Sequence, residues 1–358
     1  MNSQVIATDH INTLFQPYKL NSILTLKNRI IMAPMTRNMS HDDLSPTKAM
    51  VEYYARRADA GLIVTEGTII RPDGTTCSNA PGIFSQKQID GWHHVTDAVH
   101  DKNGNIFSQI WHVGRVSHPH FLNGNLPIGP SETTMTGRVY RSEGLTYGKS
   151  RAASLAEISE LIEYYAQAAE NAIKAGFDGV EIHGANGYLV DQFLHYGTNH
   201  RTDDYGGAPE NMARFALAVV NACGAAIGYD KVGIRFSPGA YLNEIVGDLR
   251  DTAVYQYLLQ QLSTLSLAYV HTGNFDDKKT FAELDNQTMT AFMRKHYQGT
   301  LIACGGYDFQ EANNAIAEKQ FDLVALGRPF IANPNLIVQL QQHEEIFKYD
   351  NSMLNTLH

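Results

Sequence analysis

The 358-residue chain is poor in cysteine: Cys77, Cys223 and Cys304 are its only three, and they lie far apart. Neither a disulfide framework nor a zinc-ligand spacing can be built from them, so reduced thiols in a cytoplasmic protein are expected. No run of basic residues occurs, and the formal net charge is −9. That argues against nucleic acid and anionic membrane as main partners, since both are met by clustered Lys and Arg. No apolar stretch reaches the roughly 18 residues of a membrane span, and the opening MNSQVIATDHINTLF is too polar for a signal peptide. Internal repeats, low-complexity segments and linker-like Pro/Gly/Ser runs are also missing. A single domain over residues 1–358 is therefore expected.

What is present is an alternation. Apolar runs at 29–36, 62–70, 105–112 and 179–185 are followed by four more at 231–238, 267–273, 301–307 and 323–329. They are continuously hydrophobic, which suits a parallel sheet covered on its faces. Amphipathic helices fill the intervals. The clearest is SLAEISELIEYYAQAAENAIKAG (154–176), with Leu155, Ile158, Leu161, Ile162, Tyr165, Ala169 and Ile173 on one stripe. Ser154 and Glu157 form a capping-box start, and Gly176 is a stop signal. Eight strand–helix units predict an α/β fold, a closed (β/α)8 TIM barrel. A doubly wound sheet is the alternative, but APMTRN after the first strand lacks the glycines of a dinucleotide fingerprint. Residues 1–28 suggest an N-terminal hairpin plug, and 113–153 a long excursion after strand 3 that forms part of the mouth.

In such a barrel the chemistry belongs at the carboxyl ends of the strands. These ends carry Pro34-Met35-Thr36, Glu66-Gly67, Gln109 with Trp111, His183, Arg235, Gly305-Gly306 and Gly327-Arg328. The glycine pair and Arg328 follow strands seven and eight, where barrels hold phosphates. The competing reading is a tight turn and a surface charge. Thr36, Gln109 and a buried Arg235 call for a ligand rich in acceptors, as an isoalloxazine ring with a phosphate tail would be. A phosphorylated sugar would use the same phosphate site with less need for an apolar floor.

The stretch GVEIHGANGYLVDQFL (179–194) gathers His183, Asn186 and Tyr188 at one strand end. A histidine and an amide can both hydrogen-bond one carbonyl or nitro oxygen, and a phenol of pKa about 10 can deliver a proton. Taken singly, each is more commonly structural; together, facing one mouth, they read as a site.

These residues carry a family likeness. IIMAPMTR, SQIWHVGR, GVEIHGANGYLVDQFLHYGTNHRTDDYGG, GIRFSP and LGRPFIANPNL together resemble the Old Yellow Enzyme family of flavin mononucleotide (FMN)-dependent ene-reductases, over residues 13–349. Thr36, where another branch has cysteine, and Trp111 resemble the branch of pentaerythritol tetranitrate, morphinone and N-ethylmaleimide reductases. The resemblance implies that Thr36, Gln109 and Arg235 meet the flavin edge and that Pro34, Met35 and Gly67 frame it. Gly305, Gly306, Gly327 and Arg328 would hold its phosphate. His183 and Asn186 would bind the activating oxygen, Tyr188 would protonate the substrate, and Trp111 would wall the pocket.

It implies a ping-pong cycle: NADPH, in preference to NADH, reduces FMN, and an enone or nitroalkene then takes hydride from flavin N5. Nitrate esters, nitroaromatics and quinones are further acceptors. Nothing in the sequence decides between a monomer and a homo-oligomer. Two family tyrosines are replaced, by Cys77 and near Asn355, which implies a wider pocket. A Cys77 lining that pocket would be alkylated by N-ethylmaleimide. Arg138, Arg141 and Lys149 lie where recognition of a nicotinamide cofactor is expected.

Other classes fit less well. Iron–sulfur relatives need clustered cysteines. An aldolase or isomerase needs a strand-end lysine or a carboxylate base, for which only Glu66 stands ready. A metal hydrolase would need more than Glu181, His183, His118 and His120. A flavin-binding module without turnover would not require His183, Asn186 and Tyr188.

Overall fold

The computed structural model describes residues 3–5 and 11–357. All eight apolar runs form strands: β1 (Ile30–Met32), β2 (Leu62–Val64), β3 (Ile106–Trp111), β4 (Gly179–Gly184), β5 (Val232–Phe236), β6 (Tyr269–Thr272), β7 (Leu301–Ala303) and β8 (Leu323–Leu326). Each pairs in parallel with its successor, and β8 returns to β1 through Val324–Ile30, so the sheet closes into a (β/α)8 barrel. Every residue of these strands is buried, as a sheet covered on both faces requires. Alternation sorts them. Ile31, Leu62, Val64, Phe107 and Tyr269 fill the barrel, while Ile30, Met32, Ile63 and Ile106 face the helices. The 62–70 run is not one strand: it breaks after Val64 and resumes at Thr68–Ile69, paired with Ile110–Trp111.

Helices α1 (Lys48–Ala55), α2 (Gln86–His100), α3 (Leu155–Lys174), α4 (Arg214–Ile227), α5 (Asp251–Leu262), α6 (Met289–His296), α7 (Phe309–Ala317) and α8 (Leu336–Gln341) cover the outside. On α3 the Ser154–Glu157 capping box forms, and Gly176 ends the helix at φ +87. Its buried stripe is shorter than the sequence suggests. Leu155 is 56% exposed, because periodicity identifies a face but not where the neighbouring surface begins. Among the described residues no helix is long and apolar enough to cross a membrane.

A hairpin pairing Tyr18–Lys19 with Thr25–Leu26 closes the amino end of the barrel. Leu20 and Leu26 enter the inner core, and the Tyr18 hydroxyl meets Thr300 Oγ1 at 2.8 Å beside β7. The plug is narrower than 1–28, since Ser3–Val5 pairs instead with Glu345–Phe347; residues 1, 2 and 6–10 lie outside the described residues. The excursion after β3 folds back on itself through Ile128–Gly129 and Arg151–Ala152. It docks on the loop after β5, where Thr136 and Gly137 N–H groups donate to Glu244 at 3.0 and 2.8 Å. Arg115 Nη2 donates to the carbonyls of Asn243 and Glu244 at 3.0 and 2.9 Å. The excursion is thus built into the mouth.

Candidate active site at the barrel mouth

Register creates the floor of the site. His183 of β4 lies opposite Arg235 of β5, which lies opposite His271 of β6, while Glu181 faces Gln109 across the β3–β4 seam. In-register neighbours in a parallel sheet share a face, so basic side chains line up in one row. Glu181 offsets them. It accepts from Gln109 Nε2 at 2.8 Å and contacts His271 Nδ1 at 2.8 Å, with both its own and the His271 side chain fully buried. Burial would raise the Glu181 pKa, but His271, Arg235 and Gln109 outweigh burial and hold it below the usual range. Arg235 remains underused: among the described residues Nη2 reaches only Cys304 Sγ at 3.5 Å, and the buried Nε has no partner. A buried guanidinium in that state is poised for an acceptor. Glu181, His271 and Cys304 were not singled out from the sequence as part of this floor. The alternation within β4 and β6 was the available signal.

Above the floor sit three rings. Trp111 and His183 stack with centroids 6.0 Å apart, and Tyr188 stands edge-on to each at 4.9 Å. His183 Nδ1 accepts the Ala185 N–H at 3.4 Å, which leaves the proton on Nε2. Burial, followed by the charge of Arg235, pulls this imidazole down to about 3, so it is neutral, with Nδ1 accepting and Nε2–H left to donate. Asn186 adopts φ +62, a left-handed conformation that asparagine tolerates. Its N–H donates to Ser237 Oγ at 2.7 Å, and its carbonyl accepts from Asn243 Nδ2 at 2.7 Å. The Tyr241 hydroxyl donates to Asn186 Oδ1, leaving Nδ2 without a partner among the described residues. Burial raises the Tyr188 phenol above its ordinary value, so it stays protonated. Tyr241, five residues past β5, escaped the strand-end reading because it lies in the following loop.

The remaining candidates fall around this core. Pro34, Met35 and Thr36 are half-buried at the end of β1, and the Thr36 hydroxyl makes no bond to the described protein. Gly67 is required where it stands: a Cβ there would lie 2.5 Å from the Trp111 ring. The buried Trp111 Nε1 has no partner among the described residues. Gly305 and Gly306 follow β7, and Gly327 and Arg328 follow its neighbour β8, so both turns share one edge of the mouth. A side chain at Gly305 would collide with Asp277 Cβ at 2.3 Å, and Arg328 is exposed and without a partner among the described residues.

Glu66 is no free base, because it accepts from the N–H groups of Arg37 and Asn38 at 2.9 and 3.1 Å and so braces the loop after β1. Cys77 packs with Trp111, Val113 and Tyr188, its sulfur accepting from Asn38 Nδ2 at 3.1 Å. Burial pushes its thiol up to about 11, so little thiolate exists at neutral pH, which disfavours the maleimide adduct. Asn355 is exposed in a closing turn that Arg37 ties down through Met353 O and Thr356 O, at 2.9 and 2.6 Å. Arg138, Arg141 and Lys149 are exposed on the excursion, and Arg141 also donates to Arg37 O at 2.7 Å. His118 Nδ1 accepts from the His120 N–H within a local turn.

The orphaned Arg235 Nε and Trp111 Nε1, the unpartnered Thr36 hydroxyl and the glycine turns beside Arg328 fit a flat ring with carbonyl edges and a phosphate tail. On such a barrel they define a flavin-dependent oxidoreductase. Residues 13–346 match the NADH:flavin oxidoreductase / NADH oxidase family, and the chain belongs to it, among the Old Yellow Enzymes. It is 39% identical over 346 residues to a putative 12-oxophytodienoate reductase 2 of Oryza sativa subsp. japonica, covering 96% of this chain and 90% of the relative. The solved old yellow enzyme homologue of Zymomonas mobilis superposes with a TM-score of 0.90 at 37% identity, covering 96% of each chain. Morphinone reductase in complex with tetrahydroNAD gives 0.87 at 40% identity, covering 95% of this chain and 93% of that one.

Proposed function

We propose that the protein is an FMN-dependent ene-reductase that takes its electrons from NADPH, in preference to NADH. It would pass them to the C=C bond of an α,β-unsaturated carbonyl or nitroalkene in a ping-pong cycle. The observation that carries this reading is a pair of N–H groups at the end of β4 without partners among the described residues, His183 Nε2 and Asn186 Nδ2, with the protonated Tyr188 ring 4.9 Å from His183.

Bound flavin mononucleotide supplies two-electron hydride chemistry. Thr36, Gln109 and Arg235 would hold its polar edge, with Pro34, Met35 and Gly67 framing it. Gly305, Gly306, Gly327 and Arg328 would hold its phosphate, and Trp111, backed by Cys77, would wall the pocket. His183 and Asn186 grip the activating oxygen and stabilise the negative charge that builds there as the β-carbon accepts hydride. Tyr188 gives its proton to the α-carbon, so hydride and proton together saturate the bond. The exposed Arg138 and Lys149 support recognition of a 2′-phosphate. Nitrate esters, nitroaromatics and quinones remain further acceptors for the same reduced state.

A visible spectrum tests this reading. The purified, flavin-loaded protein should bleach under anaerobic NADPH and recolour when 2-cyclohexenone is added. A protein that NADPH bleaches but the enone leaves bleached would overturn the substrate class.

A further inference from the structure

Of the two oxygen-binding donors, Asn186 is the less secure. An amide presents an acceptor at one end and a donor at the other, and a half-turn of its last torsion exchanges them. With Oδ1 toward the mouth it would repel a carbonyl or nitro oxygen. Sequence spacing says nothing about which end faces the substrate.

The loop after β5 decides it. The Tyr241 hydroxyl donates to Asn186 Oδ1, while Ser237 Oγ and Asn243 Nδ2 take the main-chain N–H and carbonyl, each at 2.7 Å. Ser237 is itself held by Asp191 Oδ2 at 3.1 Å, and the Tyr241 ring is braced edge-on by Phe275 at 5.5 Å. Each polar group of Asn186 except Nδ2 is thereby engaged. Burial also raises the Tyr241 pKa, so its hydroxyl keeps its proton, and Asn186 Oδ1 is the one acceptor for that proton among the described residues. A turned amide could still donate to the phenol oxygen but would strand the proton.

We propose that Tyr241 is a positioning residue that locks the Asn186 amide with its donor end toward the substrate and so selects activating groups that accept hydrogen bonds. The inference rests on the reading of Asn186 as an oxygen-binding residue. Removing the hydroxyl frees the amide to turn, so part of the population then presents an acceptor. Acceptor-only ligands lose affinity, and ligands that carry an O–H donor gain ground.

The test uses the FMN-loaded enzyme and Tyr241→Phe. The KM for 2-cyclohexenone should rise about 5- to 10-fold, the range expected for one hydrogen bond lost or opposed, with the flavin spectrum unchanged. The affinity ratio of cyclohexanone to cyclohexanol, followed through the flavin spectrum, should shrink by a similar factor. A parallel pair starts from Asn186→His. An imidazole can place its proton on the mouth-facing nitrogen unaided, and histidine tolerates the left-handed backbone. There, adding Tyr241→Phe should change KM by less than about twofold. Equal losses in both backgrounds would show a merely structural role and overturn the proposal, as would an unchanged KM and an unchanged ketone-to-alcohol ratio in Tyr241→Phe. If Asn186→Ala leaves enone KM untouched, the donor pair falls together with this inference. If Asn186→Ala weakens the enone while Tyr241→Phe does not, only the inference falls.

Discussion

His183 and His195 leave the same segment twelve residues apart, and both are buried, yet they do opposite work. His195 lies between two carboxylates. Its Nδ1 meets Asp251 Oδ2 at 2.8 Å, its Nε2 stands 3.4 Å from Asp191 Oδ1, and the Tyr255 hydroxyl closes the cage at 3.1 Å. Burial opposes its charge, but Asp191 and Asp251 outweigh burial and hold it up at about 10. His183 meets Arg235 rather than a paired acid, and it stays neutral, its Nε2–H without a partner among the described residues. Burial is common to both, so the neighbouring charges decide which histidine is a strut and which a working donor. The strut still serves the site, because Asp191 also accepts the Gly187 N–H at 2.7 Å and so helps to set the turn that carries Asn186.

The contrast can be broken from either side. Removing both donors with His183→Ala and Asn186→Ala should slow enone reduction by about 10²–10³-fold while the protein still binds flavin, as anaerobic reoxidation rates would show. On the other side, Asp251→Asn takes a partner from a buried charge. It should destabilise the fold by about 3–5 kcal/mol in denaturant unfolding, with a smaller effect on enone reduction per folded, flavin-loaded molecule.

The pH dependence should show opposite limbs. The raised pKa of His195 makes its contribution to stability complete below about 6.5 and lost as pH climbs through about 10. The lowered pKa of His183 makes its contribution complete above about 6.5 and lost as pH falls toward about 3. Denaturation midpoints across that range should therefore lose the alkaline slope in His195→Gln and the acid slope in His183→Asn. The smallest effect is expected at the pocket wall. Gly67→Ala pushes a Cβ toward Trp111 and should weaken FMN binding by about tenfold, a loss of roughly 1.4 kcal/mol measurable by fluorescence titration.

The strands and their carboxyl ends were legible in the sequence because continuous apolar runs and period-two alternation are local signals. His183, Arg235, Gln109 and Trp111 came with them. Tyr241 and Ser237 were not legible in their role toward Asn186, because the contact spans more than fifty residues and depends on how one loop packs over another. The same holds for Glu66 and Cys77, whose roles are set by Asn38 and Arg37 across the β1–β2 seam. Leu155 shows the complementary failure, a correct helix with its apolar edge left outside.

The most direct test separates the two halves of the cycle in Tyr188→Phe by stopped-flow under anaerobic conditions. Reduction by NADPH should proceed within about twofold of the parent rate, while reoxidation by 2-cyclohexenone falls by about 10²-fold or more. Equal rates in both halves would contradict a proton-donating Tyr188 and, with it, the reading of the β4 cluster as the site of olefin reduction.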